Sequence, residues 1–198
     1  MMAGPVFNAG LELRAAGDGS RRLTGRFPYN KRAVIHSGGK GQRPQKEQFA
    51  PRAFGFAVDD PDRDIHLLVG HSFDHPLASK KAGSLILNDG DEALTFQAIL
   101  TPEIQRASWV QDFLAAFAAG LITGISPGFR VAPIDGAEST EEEEPSLGKA
   151  LIRTIAAAVL FELSMVTRPA YGETEASLRH FQPAPARGLI HPLNRWRL

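Results

Sequence analysis

The chain has 198 residues, 43% hydrophobic and 22% charged, enough for one globular domain with a real core and unlike a disordered polymer. Lys plus Arg and Asp plus Glu each number 22, so the formal net charge is zero, which argues against a dedicated nucleic-acid binder with its clustered positive excess. Cysteine is absent, which removes disulfides, thiolate nucleophiles and Cys-ligated metals together.

In chain order, residues 1–22 are rich in Gly, Ala and Arg without sustained periodicity and read as a flexible N-terminal arm. Their start lacks the basic and continuous apolar segments of a signal peptide. No apolar run reaches the roughly 18–20 residues that span a bilayer, so a cytoplasmic site of action without a membrane partner is expected. Ile65, Leu67 and Val69 alternate with Asp64, His66 and Leu68, which predicts a short strand with one strongly apolar face. Leu85–Leu87 and Leu94–Leu100 flank Asn88-Asp89-Gly90-Asp91-Glu92, a hairpin signal because Gly supplies the positive φ that tight turns need. Thr101-Pro102 offers an N-cap and a first-turn proline to a helix in which Val110, Phe113, Leu114 and Phe117 recur at helical spacing, and Gly120 stands where it would stop.

Residues 121–131 return to extended structure, with Gly124 and Gly128 on either side of Ser126. Residues 135–148 hold Glu141–Glu144, four adjacent like charges that repel and stay hydrated, and read as a surface loop rather than an acidic recognition site. Within 151–167 a strand is expected from about Ala158. Phe161, Leu163 and Met165 would lie on one face of it, Glu162, Ser164 and Val166 on the other, before Pro169 ends it. No acidic residue follows Glu175, while Arg179, Arg187, Arg195 and Arg197 sit among Pro183, Pro185 and Pro192. Residues 179–198 therefore read as a Pro/Arg-rich tail, disordered, docked in extended form or removable, which leaves 23–178 as the folded domain.

Three residue types in this pattern carry candidate chemistry. His71 follows the 65–69 strand with the parity of its apolar face, where a partly desolvated base can be held, although a histidine beside a core is more often structural. His71 and His75 have the i, i+4 spacing of a zinc pair, but Pro76 follows directly and no helix is indicated, so neither a metal nor any other cofactor is expected. Ser126 has small neighbours that let a substrate backbone approach and leave N–H groups for an oxyanion; a serine in a glycine-rich strand is also common in ordinary turns. Glu162, among Leu160, Phe161, Leu163 and Met165, lies either on a solvated face or buried with a partner such as an imidazolium.

The order of four segments goes further than these local readings. They are Glu47-Gln48-Phe49-Ala50-Pro51-Arg52-Ala53-Phe54; Leu67-Leu68-Val69-Gly70-His71 with Pro76-Leu77-Ala78 and Gly83-Ser84-Leu85; Gly124-Ile125-Ser126-Pro127-Gly128-Phe129; and Leu160–Ala170. Together, over residues 25 to about 178, they resemble the prohead proteases of HK97-like tailed phages, a family also found in phage-derived particles such as gene transfer agents. The third segment is similar to the family's Ser-x-Gly-Phe element, and the fourth to its Glu-x-Ser-x-Val and Pro-Ala ending. Gly70-His71-Ser72 departs from the usual Asn-His-Asp-like triplet.

The resemblance implies an α+β, mainly β fold of the assemblin type, a closed or nearly closed β-barrel wrapped by helices. It implies a serine endopeptidase with Ser126 as nucleophile, His71 as base and Glu162 as the acid behind it. Asp74 and His75 are alternatives for that third place, because related viral proteases use a second histidine there. Gly128 and Arg168 are its candidates for the oxyanion hole. The implied partners are the major capsid protein and its scaffolding segment, met inside the assembling prohead in the bacterial host cytoplasm, with a homodimer as a further expectation. The competing reading is a non-enzymatic internal scaffold protein of the same fold.

Overall fold

The computed structural model describes residues 10–39, 41–143 and 149–167. The first nine residues of the expected arm, Glu144, Arg168 and the whole 179–198 tail lie outside the described residues. The fold begins with β1 (Glu12–Ala15), β2 (Arg21–Pro28), β3 (Ala33–His36) and β4 (Gln45–Phe49), then the short helix α1 (Gly55–Val58). The hairpins β5 (His66–Val69), β6 (Ser72–Ser79) and β7 (Leu85–Asp89), β8 (Ala93–Leu100) follow, then helix α2 (Ser108–Ala118). The last strands are β9 (Gly124–Val131), β10 (Glu138–Glu142), β11 (Leu151–Ile155) and β12 (Ala158–Val166).

The mainly β reading agrees with this, but the closed barrel does not. The strands form three four-stranded sheets, ordered β1-β2-β8-β7, β10-β11-β4-β3 and β6-β5-β12-β9. Closure needs the two edge strands of a sheet to pair at a consistent stagger. Among the described residues each sheet instead keeps two edges, and the two α-helices are too few to wrap it.

Several elements differ in detail from the sequence pattern, each for a physical reason. The stretch read as an arm contains β1, which is ordered by its ladder to β2 (Leu13 opposite Leu23) and not by any periodicity of its own. The helix after Thr101-Pro102 is divided: Ile104–Arg106 make one 3₁₀ turn, Ala107 is extended, and α2 starts at Ser108. Thr101 thus sits over the short turn, its Oγ accepting the Ile104 N–H at 3.5 Å. The acidic loop is partly strand, since Glu138–Glu142 pair with β11 while their side chains stay exposed. Glu143 is buried, and its carboxylate accepts a 2.7 Å bond from Lys46 Nζ that holds it below the usual carboxylate range. The 85–100 hairpin forms as expected, with Leu85 opposite Ala98 and Asp89 opposite Leu94.

The core joins the three sheets. Phe27, Phe49 and Phe54 are almost fully buried, with ring centroids 5.4 Å (Phe27–Phe49) and 4.9 Å (Phe49–Phe54) apart. Phe129 of β9 packs on Phe49 at 4.8 Å. Rings of this size each contribute about 1.5–3 kcal/mol of burial, so this cluster fixes β9 against β4 and α1.

Beside it, Tyr29 donates its hydroxyl to the buried carboxylate of Asp89. Burial raises the Asp89 carboxyl above its ordinary value and outweighs the Tyr29 hydrogen bond and the nearby Arg52 charge, which lower it. The stability that Asp89 contributes is therefore fully present below the ordinary carboxylate pKa of about 4 and is lost as pH rises through its raised folded value. Tyr29→Phe removes the donor that the ionised form needs. It should cost about 1–3 kcal/mol at pH 7 and less at pH 3, measured by urea unfolding at the two pH values.

Candidate active site

The site forms where β5, β12 and β9 lie side by side. In β12, Leu163 and Met165 face the main core, which places Glu162 and Ser164 on the opposite face. A bulge between Leu160 and Glu162 interrupts the pairing with β9. Bulges insert an extra residue and shift the alternation, so Leu160 joins Leu163 and Met165 in the core while Phe161 turns outward at 37% exposure. The expected shared face of Phe161, Leu163 and Met165 is corrected accordingly. The Arg130 guanidinium lies 5.7 Å from the Phe161 ring centroid.

His71 is not an extension of its strand. β5 ends at Val69, which pairs with Ser72 of β6, leaving Gly70-His71 as a two-residue hairpin turn. Both have positive φ (60° and 62°), as tight type I′ hairpins require. Strand parity, which the alternation of 65–69 predicts to extend to His71, therefore does not place its ring. The turn swings it instead over β12, where Nδ1 lies 2.8 Å from Glu162 Oε1.

Glu162 is 3% exposed, so of its two sequence readings the buried and partnered one holds. Its second oxygen, Oε2, accepts the Ser164 hydroxyl at 2.6 Å, and Ser164 Oγ in turn accepts the His71 main-chain N–H at 2.8 Å. An ionised carboxylate can only accept. A neutral imidazole that donates from Nδ1 in this contact keeps the lone pair on Nε2.

Ser126 stands directly opposite Ser164 in the antiparallel β9–β12 pair, and Gly128 directly opposite Glu162. Directly opposed side chains share a face at about 4.5–5.5 Å between Cβ atoms. Ser126, Ser164, Glu162 and the His71 turn thus gather on one face of the sheet. The hydrogen bonds of His71 among the described residues run to Glu162 and Ser164 and not to Ser126.

Gly128 has a second reason to be glycine. A Cβ there would lie 2.0 Å from Glu162 Oε1, so the missing side chain is the space that the carboxylate occupies. The alternatives for the third place lie elsewhere: the His75 ring stacks on Trp109 at 6.0 Å, and Asp74 is exposed on β6. Nothing in the local sequence reading assigns Ser164 a role. Its signal was the Glu162-x-Ser164 spacing, which puts both side chains on one face of any strand.

A family model described as Caudovirus prohead serine protease matches residues 35–186. No curated protein and no solved structure gives a match. The matched span includes all four segments noted in the sequence from Glu47 to Ala170, and with most of its length covered the chain belongs to the Caudovirus prohead serine protease family.

Proposed function

We propose that this chain is a serine endopeptidase that cuts the scaffolding segment of the major capsid protein inside an assembling prohead, with Ser126 as nucleophile, His71 as general base and Glu162 as the acid behind the histidine. The observation that carries this reading is the 2.8 Å His71–Glu162 contact on the sheet face that also bears Ser126.

In this mechanism Nε2 takes the Ser126 hydroxyl proton as Oγ attacks the scissile carbonyl carbon, and the carbonyl π electrons move to its oxygen. Collapse of the tetrahedral species breaks the C–N bond, and His71 gives its proton to the departing amine. Water then hydrolyses the acyl-enzyme by the same route, and Glu162 holds the imidazole tautomer through both halves. Main-chain N–H groups near Gly128 and Arg168 are the proposed oxyanion donors. Among the described residues β9 pairs only with β12, so its outer edge can receive an extended polypeptide beside Ser126. Confinement within the shell supplies a high effective concentration of substrate and restricts what can be cut.

Covalent labelling tests the proposal. A fluorophosphonate should form one adduct, located on Ser126 by peptide mass spectrometry, and His71→Ala should slow its formation by at least about 10²-fold. An adduct on another serine, or none on natively folded protein, rejects the assignment. The second result would favour a non-enzymatic assembly role.

A further inference from the structure

We infer that Ser164 is a positioning residue that holds both halves of the His71–Glu162 pair, a role that rests on the triad proposed above. Its side chain is fully buried and forms two hydrogen bonds with opposite polarity. The hydroxyl proton goes to Glu162 Oε2 at 2.6 Å, and the oxygen lone pair receives the His71 main-chain N–H at 2.8 Å.

The two contacts act on different degrees of freedom. Glu162 Oε1 faces the imidazole, so a donor on Oε2 fixes the rotation of the carboxylate plane about its last side-chain bond. The His71 N–H belongs to the second residue of a two-residue turn. Such a turn is otherwise tied to β12 through the Gly70 N–H bond to Met165 O at 3.1 Å. Ser164 adds a tie at His71 itself, where φ is 62° and a non-glycine backbone has least inherent preference to remain. Without Oγ the carboxylate can rotate and the turn can shift. Misplacement on the order of 1 Å near reacting groups costs about 10²-fold in rate. Because Ser164 sits directly across from Ser126, the residue that sets the pair also borders the nucleophile.

Cleavage of the particle's own scaffold-bearing capsid protein, followed by mass spectrometry, tests this with the full chain and its Ser164→Ala, Ser164→Thr, His71→Ala and His71→Ala/Ser164→Ala variants. Thermal unfolding of each variant is recorded alongside. Ser164→Ala should lower kcat by about 10- to 100-fold with KM within about twofold. Ser164→Thr, which keeps the hydroxyl, should recover most of the loss. In the His71→Ala background, where no imidazole remains to be placed, Ser164→Ala should cost less than about twofold more. Unchanged kcat in Ser164→Ala overturns the role, even if that variant is less stable. So does an equal loss in the His71→Ala background, which would mark a general structural effect. Full activity of His71→Ala would instead overturn the triad itself, and this inference with it.

Discussion

Ser126→Ala is expected to reduce kcat by about 10⁴- to 10⁶-fold with little change in stability. The size follows from the division of labour in hydrolases of this kind, where removing the nucleophile alone costs about as much as removing the whole triad, and the rest of the site retains a rate about 10³–10⁴ above water. The mildness toward folding follows from position. Ser126 is partly exposed on β9, and β9 is held by its neighbours: Ile125 is buried in the main core and Phe129 packs on Phe49. Losing one hydroxyl there leaves no core contact unmade. Rates of scaffold cleavage and a urea unfolding midpoint, measured on the same preparation, check both halves. Processing at the wild-type rate would remove Ser126 from the mechanism.

Gly128→Ala should be almost as damaging, although it deletes nothing. The new Cβ would stand 2.0 Å from Glu162 Oε1, 2.7 Å from Cδ and 2.9 Å from Cγ, distances that no packing tolerates. Either β9 moves away from β12 or the Glu162 side chain leaves its pocket. The first breaks the ladder that places Ser126, and the second strips His71 Nδ1 of its partner. By the precedent of other triads, loss of the acid costs about 10⁴-fold in kcat. Moving a buried, hydrogen-bonded carboxylate also costs about 1–3 kcal/mol in stability. Pairing the change with a smaller acid, as Gly128→Ala/Glu162→Asp, should restore part of the activity, and cleavage assays on both variants read this out. Wild-type activity in Gly128→Ala would mean that the carboxylate has no part in the reaction.

What was legible in the sequence divides along physical lines. Hairpins and the main helix could be read because their signals are local: the Asp89-Gly90 turn and the Val110, Phe113, Phe117 spacing need no tertiary information. The bulge at Phe161 could not, since it depends on how β9 sits against β12, and it reversed the face assigned to that ring. The place of His71 was missed for a related reason. Period-two alternation carries a side chain's direction only while the strand lasts, and Gly70 ends it. The sequence leaves two readings of Glu162, because apolar neighbours on both sides say nothing about which face a carboxylate takes until its partners are known. Those partners arrive from the β5–β6 turn and from Ser164 on its own strand. A closed barrel is not seen among the described residues, and the resemblance could not settle it because it rests on four short segments, which do not encode whether distant edges meet.

The order of the strands in the site sheet also sets when during biosynthesis this arrangement of residues can form. β12 is inserted between β5, to which it runs parallel, and β9, to which it runs antiparallel. His71 and Glu162 are 91 residues apart in the chain, and neither β5 nor β9 touches the other across the sheet until β12 fills the gap. A nascent polypeptide that has emerged through β9 already holds the histidine and the serine, yet has no strand to bring them together. Pairing of this range is slow to form. The sheet face that carries His71, Glu162 and Ser126 is therefore incomplete until β12 has been made.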